Sequence, residues 1–365
     1  MQCLINYYRH KIISEDQTGF ISGRHIGENT KLIYDVVQYT EEKNIPGLLL
    51  LIHFEKAFDT ISWNFIQKCL QYFNFGNSMI RWIRLFQNNI YSSISQCGNL
   101  SNDINIQRGC RQGDPVAAQI FIICAEILSL KIKSNENIRG ICIGQNEIKL
   151  SQFTDDTTLV LDGTEESLSS ALSDISKFGE ISGLNMNLSK TQVIWIGSKK
   201  YSTDTLCHKY KLKWGATKFD LLGIEFDVNL HNIPKLNFDK KLVKLKKIIT
   251  QWQKRNLTPI GRITIIKTLI ISQLNHMFIS LPISSNNTIS DINKLMFNFI
   301  WENKNDKIKR DITVLGYDYG GLKIPELTTY ISSLKLTWIR RYYSICKERV
   351  NGNIFWMKMM ICQKL

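Results

Sequence analysis

Apolar positions between residues 48 and 228 follow two alternating rhythms. The run 48-LLLLIHF-54 is apolar throughout, which predicts a strand buried on both faces. A helix is expected from about 60 to 73, with Asp59 or Thr60 as its N-cap, and 118-AQIFIICAEILSLKI-132 reads as a buried helix. The segments 147-EIKLSQF-153 and 157-TTLVLDG-163 flank a short polar hinge, which is a hairpin signal. A helix over about 165–181 leads to 183-GLNMNLSKTQVIWIG-197, a turn and then a further strand. Strands separated by helices predict an α+β domain. Residues 1–46 read as helix and loop, with 19-GFISGR-24 as a glycine-marked turn and Pro46-Gly47 as a stop.

Beyond residue 230 the period becomes helical. Leu242, Leu245, Ile249 and Trp252 recur on one side of 236-LNFDKKLVKLKKIITQWQKR-255, with Lys240, Lys244, Lys247 and Lys254 on the other. The chain therefore divides into 1–46, 47–228 and 229–365, with no internal repeat and no low-complexity tract.

Charge sharpens this division. Residues 1–229 carry 23 Lys+Arg and 24 Asp+Glu, whereas residues 230–365 carry 23 and 8, so the whole net charge of +14 sits in the last third. A near-neutral body followed by a strongly basic one fits a polyanion-binding appendage; the plainer alternative is a solvated lysine-rich helical surface. With 44% hydrophobic residues and 8 Trp in 365 positions, wholesale disorder is excluded. The nine cysteines (3, 69, 97, 110, 124, 142, 207, 346 and 362) are odd in number and scattered, and they form no Cys-x-x-Cys. That speaks against a disulfide framework or zinc site and for reduced thiols in an intracellular protein. No apolar run approaches the roughly 18 residues of a membrane helix, and 1-MQCLINYYRHK-11 lacks a secretory h-region, so neither membrane nor secretion is expected.

Three local features could carry chemistry. The first is 153-FTDD-156, between two strands: adjacent carboxylates in a tight hairpin repel unless a cation is present. Magnesium takes one or two carboxylates with water and phosphate, although Asp-Asp alone is more often ordinary turn chemistry. The second is the polar, glycine-containing loop 107-QRGCRQGDP-115 before the buried helix. The third is 53-HFEKAFDTISW-63, at the end of the buried strand, where catalytic groups are often presented; the plainer reading is a strand running into a capped helix.

In this order and spacing the three resemble the reverse transcriptases of non-LTR (LINE-type) retrotransposons. The fingers segment is like 17-QTGFISGR-24, and the first palm motif, Asp-Phe-x-Lys-Ala-Phe-Asp, matches 53–59 at every position but the first. Arg-Gln-Gly-Asp-Pro matches 111–115, Phe-Ala-Asp-Asp resembles 153–156, and Gly-Leu-x-x-Asn-x-x-Lys-Thr matches 183–191. The primer-grip hairpin is similar to 219-FDLLGIEF-226. Trp252, 261-GRITIIK-267, 299-FIW-301 and 320-GGLKIPEL-327 are family-like, so the resemblance covers about residues 12–345.

The resemblance implies a right-hand polymerase: partial fingers in 1–46, a palm in 47–228, and a basic helical thumb with a C-terminal extension in 229–365. It implies an RNA-directed DNA polymerase that adds deoxynucleotides to a DNA primer on an RNA template. Two metal ions, Mg²⁺ or with Mn²⁺ as a substitute, would clamp the displacement. Asp155 would be the main metal ligand and Asp156 its supporting carboxylate. Phe58 would exclude a 2′-OH, Gln112 would contact the nucleotide, and Arg24 would grip the triphosphate. Lys190 is the candidate proton donor to pyrophosphate. Lys240, Lys244, Lys247 and Lys254 would track the template–primer backbone.

One departure stands out. The family's third metal carboxylate is the first Asp of the first palm motif, and here it is His53. Neutral imidazole offers one nitrogen, cannot bridge two metals and suits zinc or copper better than magnesium. Glu55 could compensate only if the strand continued past residue 53. Residues 116-VAAQ-119 replace a helix-starting Leu-Ser-Pro, and upstream fingers, endonuclease and zinc-knuckle segments of the family are not found. The expectation is an impaired polymerase; the alternatives are a catalytically dead nucleic-acid-binding relic and a co-opted interaction protein.

Overall fold

The structure, a computed structural model, describes residues 11–208, 210–283 and 286–348. The opening of the expected fingers segment, Cys3, Cys362 and the side chain of Cys346 lie outside the described residues. The chain forms two compact units, divided between Thr217 and Lys218.

In the first unit, β1 (Pro46–Ile52), β2 (Leu150–Phe153), β3 (Asp156–Leu161) and β4 (Gln192–Gly197) form an antiparallel sheet in the order β4-β1-β3-β2. Leu48 pairs with Trp195 on one side and Leu161 on the other, so β1 is central. Leu48, Leu50 and Ile52 are all buried and join Leu159, Leu161, Val193 and Trp195 in one core. That core is completed by α2 (Trp63–Tyr72), α4 (Ala117–Ser134) and α5 (Glu165–Ser182). Leu49 and Leu51, on the opposite face, are equally buried, and α1 (Ile26–Glu42) packs against β2 and β4. Burial on both faces is the physical reason the sequence of β1 shows no alternation. Between α2 and α4 lie α3 (Asn77–Phe86) and two short hairpins within 90–106.

The helix expected from about 60 begins later. Residues Ala57–Thr60 make a short helical turn of their own, and Ser62, whose side chain accepts from the Phe65 N–H, is the N-cap of α2. Asp59 therefore caps nothing. Thr164 caps α5 as its Ser/Thr-type start predicts, and Gly183 closes it in the left-handed conformation.

The second unit opens with the hairpin β5 (Lys218–Leu221) and β6 (Ile224–Asp227) and continues with α6 (Ile233–Gln253). The Asn237 side chain of α6 accepts from the Glu225 N–H (2.9 Å) and donates to the Glu225 carbonyl (2.7 Å), fastening the hairpin to the helix. His276 Nε2 also meets the Leu222 carbonyl at 3.0 Å. The boundary between the two compact units thus precedes the hairpin. Leu245 and Ile249 are buried and Leu242 and Trp252 half-buried, while Lys240, Lys244, Lys247 and Lys254 are exposed.

One helical stretch, α7 (Pro259–Ser280), is long and apolar enough by composition to cross a membrane, contrary to the expectation from the sequence. It contains buried Arg262, which donates to the Phe299 carbonyl (3.0 Å) and pairs with Glu302, and it packs against neighbouring helices of its own unit. Those contacts bury 44% of its apolar window against its own unit. Its middle turn, Ile266–Ile271, is π-helical. Helices Asn286–Ile300 and Leu327–Glu348 complete the unit.

Candidate active site

The hairpin between β2 and β3 turns through Thr154 and Asp155, with Phe153 opposite Asp156. Thr154 has φ 60, a conformation that a β-branched residue adopts only under constraint. The constraint comes from far away in sequence. Fully buried Gln17 donates through Nε2 to the Thr154 carbonyl (3.1 Å), and its Oε1 accepts from the Thr154 N–H (2.8 Å) and the Gly19 N–H (2.8 Å). Gly19 is needed for this approach, since a Cβ there would lie 2.5 Å from the Thr154 hydroxyl. The fingers-like motif 17–24 thus acts as a clamp on the acidic turn.

Register then places the acidic turn beside the end of β1. Ile52 pairs with Thr157, so the next residue, His53, lies next to Asp156, and its Nδ1 is 3.5 Å from Asp156 Oδ1. Both side chains are about two-fifths exposed, at 41% and 44%. Burial, reinforced by Asp156, raises the Asp155 carboxyl above its ordinary range, with His53 partly opposing the shift. The negative charges of this turn are therefore uncomfortable as they stand.

Two loops converge on the same strand end. The Asn187 N–H donates to the His53 carbonyl (2.7 Å), and the Glu55 N–H donates to the Asn185 carbonyl (2.9 Å), laying residues 185–191 along 53–55. That brings exposed Lys190 to this side of the unit. The second loop is anchored where the Cys110 N–H donates to the Phe58 carbonyl (2.6 Å), the Gly109 N–H to Ile61 (2.8 Å) and the Trp63 indole to Gly109 (2.8 Å). Gly109, with φ 90, sits where a Cβ would collide with the Asp59 carbonyl at 2.8 Å. The Phe58 ring stacks on Phe121 of α4, with 4.3 Å between centroids, and is held rigidly but half exposed. Gln112 is exposed on the same loop, and Asp114 Oδ1 accepts from Val116 N–H (3.0 Å), starting α4 without the family's proline. Burial, with Asp114 adding, pushes the Cys110 thiol up to about 12, which leaves it protonated and unreactive.

The Arg24 guanidinium donates to the carbonyls of Ser14, Gln17 and Ile13, the last at 3.1 Å, and so holds the clamp segment in shape. Gln17 itself carried no chemical signal in the sequence beyond its place in the fingers-like motif.

The donor set does not fit a pair of divalent ions. Two adjacent carboxylates and one imidazole nitrogen turned towards Asp156 supply fewer oxygen donors than two hard divalent ions would want. Glu55 is exposed beyond the end of β1, and among the described residues no group of three metal-ligating side chains is found.

The fold and these motifs define a polymerase palm. The model of the reverse transcriptase (RNA-dependent DNA polymerase) family matches residues 1–226, and the chain belongs to that family. Divalent-metal dependence is general in it. Similar curated proteins include the transposon TX1 uncharacterized 149 kDa protein of Xenopus laevis, 22% identical over 337 residues, covering 91% of this chain and 25% of that protein. Another is the retrovirus-related Pol polyprotein from type-1 retrotransposable element R2 of Popillia japonica, 25% identical over 171 residues, covering 47% and 24%. Both are non-LTR retrotransposon proteins, and the chain spans about a quarter of their length. Among solved structures, telomerase of Candida albicans in complex with a TWJ fragment of telomeric RNA aligns over 100% of this chain and 56% of that one, at 12% identity and TM-score 0.49. Apo telomerase of Candida tropicalis aligns over 98% and 60%, at 12% identity and TM-score 0.48.

Proposed function

We propose that this chain is the RNA-directed DNA polymerase core of a LINE-type retrotransposon, silenced at its metal site by one residue. The observation that carries the proposal is His53 beside Asp156, at the strand end where the family places a carboxylate. In this reading the chain still engages its nucleic acids. Phe58 meets the sugar of the incoming deoxynucleotide, Gln112 reaches it from the loop, and Lys190 stands ready to protonate pyrophosphate. The exposed Lys240, Lys244, Lys247 and Lys254 follow the backbone of an RNA template paired with a DNA primer. Six free cysteines among the described residues suit a reducing, intracellular setting.

The test is primer extension on an RNA template by the unmodified chain and its His53→Asp variant, each with Mg²⁺ and with Mn²⁺. Loss of about 4 kcal/mol of transition-state stabilisation corresponds to about a thousandfold in rate, so the variant should exceed the parent by about that factor. Comparable extension by the unmodified chain would show that another group completes the site.

A further inference from the structure

A groove of about 640 Å³ opens between α2 and α3, within the first unit. Its walls include Trp63, Gln67, Arg81, Trp82, Arg84 and Gln87. Trp82 is 55% exposed, an unusual state for the largest apolar side chain, and lies 6.3 Å from the Phe86 ring, itself exposed. Trp63 is fixed by its bond to the Gly109 carbonyl, and Arg84 is held by two bonds to Gln67 Oε1 (3.2 and 3.0 Å).

The lining of this groove holds Arg81 and Arg84 and no carboxylate. No Asp or Glu occurs anywhere from residue 60 to residue 102, while Lys68, Arg81 and Arg84 do. An apolar protein partner would need no uncompensated guanidinium pair, and a duplex hides the faces of its bases in its own stack. A single strand offers both exposed flat bases for an indole and phosphates for arginine.

We propose that the α2–α3 groove binds single-stranded nucleic acid at a site additional to the polymerase centre. A base stacks on Trp82, and the flanking phosphates pair with Arg81 and Arg84. The proposal stands whether or not the chain polymerises, since none of these residues belongs to the strand-end site.

The test is a fluorescence-anisotropy titration of the full chain with a labelled oligouridine of about ten nucleotides. It is run with saturating unlabelled RNA–DNA hybrid present, so that binding to the basic helical unit is occupied. The variants are Trp82→Ala, Trp82→Phe and Arg81→Glu, with each variant's thermal melting recorded. Because Trp82 and Arg81 are exposed, unchanged melting is expected. Trp82→Ala should weaken oligouridine about tenfold, the scale of one lost base–aromatic stack, and Trp82→Phe should restore most of it. Arg81→Glu should weaken it further and flatten its salt dependence. Affinity for the hybrid, titrated alone, should not change. If oligouridine binds all four proteins equally, or its loss tracks an equal loss of hybrid binding, the groove is not a nucleic-acid site.

Discussion

The strand-end site and the lysine face of α6 contribute to the same proposed activity by opposite designs. Around His53 each backbone segment is pinned: residues 185–191 bond to 53–55, the 108–110 loop bonds to 58–63, and Gln17 fixes the turn at Thr154. Along α6 the lysines stand exposed, and Lys240 alone of the four has an ion-pair partner described, Glu225. Site chemistry depends on a few atoms at fixed places, so one residue there can decide the outcome. Backbone tracking depends on a sum of charges, so no one lysine should matter greatly.

Four experiments would break or sharpen that contrast. The largest effect is expected from His53→Asp, about a thousandfold in primer extension, and adding Asp155→Asn to that variant should erase the gain. Gln17→Leu comes next. It orphans the Thr154 N–H and carbonyl and the Gly19 N–H together, and should cost on the order of 3–4 kcal/mol in denaturant-melt stability. A loss well under 1 kcal/mol would mean that the turn holds itself.

The third concerns Glu126, buried in α4, whose carboxyl is raised from 4.5 to about 7 because burial outweighs its bond from the Ser14 hydroxyl. The unfolded chain ionises near 4.5 and the native chain near 7, so between them the native state holds the extra proton. Stability should therefore fall as pH rises from 4.5 to 7 and level off above. Glu126→Gln should remove that slope, worth on the order of 2–3 kcal/mol, as read by melts across the range. Smallest of all, Lys247→Ala should weaken template–primer binding only a few-fold and lower the log–log salt slope by about one. A loss as large as that of the strand-end variants would overturn the contrast drawn here.

Much of this was legible in the chain because the signals were local. The unbroken apolar run at 48–52, the Asp-Asp turn and the helical period after 230 each report on their own neighbourhood. The α+β fold followed from them. What was not legible depends on contacts between distant segments. Ser62 displaced Asp59 as a cap because the chain makes a separate turn at 57–60 to meet the Gly109 loop. The hairpin at 218–227 belongs with α6 through Asn237, which no local composition announces. The bonds from Arg24 to the carbonyls of Ser14, Gln17 and Ile13 are likewise unannounced by the local pattern.

The Gln17 clamp also sets a timetable. Its two partners are 137 residues apart in the chain. At a synthesis rate of about 5–20 residues per second, the glutamine waits on the order of ten seconds before its threonine exists. During that interval the amino-terminal segment has nothing to grip. Long-range closures of this kind are slow in any case, because the intervening chain must be ordered first. The acidic turn should therefore be among the last parts of the unit to acquire its final shape, and a nascent chain stalled before residue 154 would hold Gln17 in waiting.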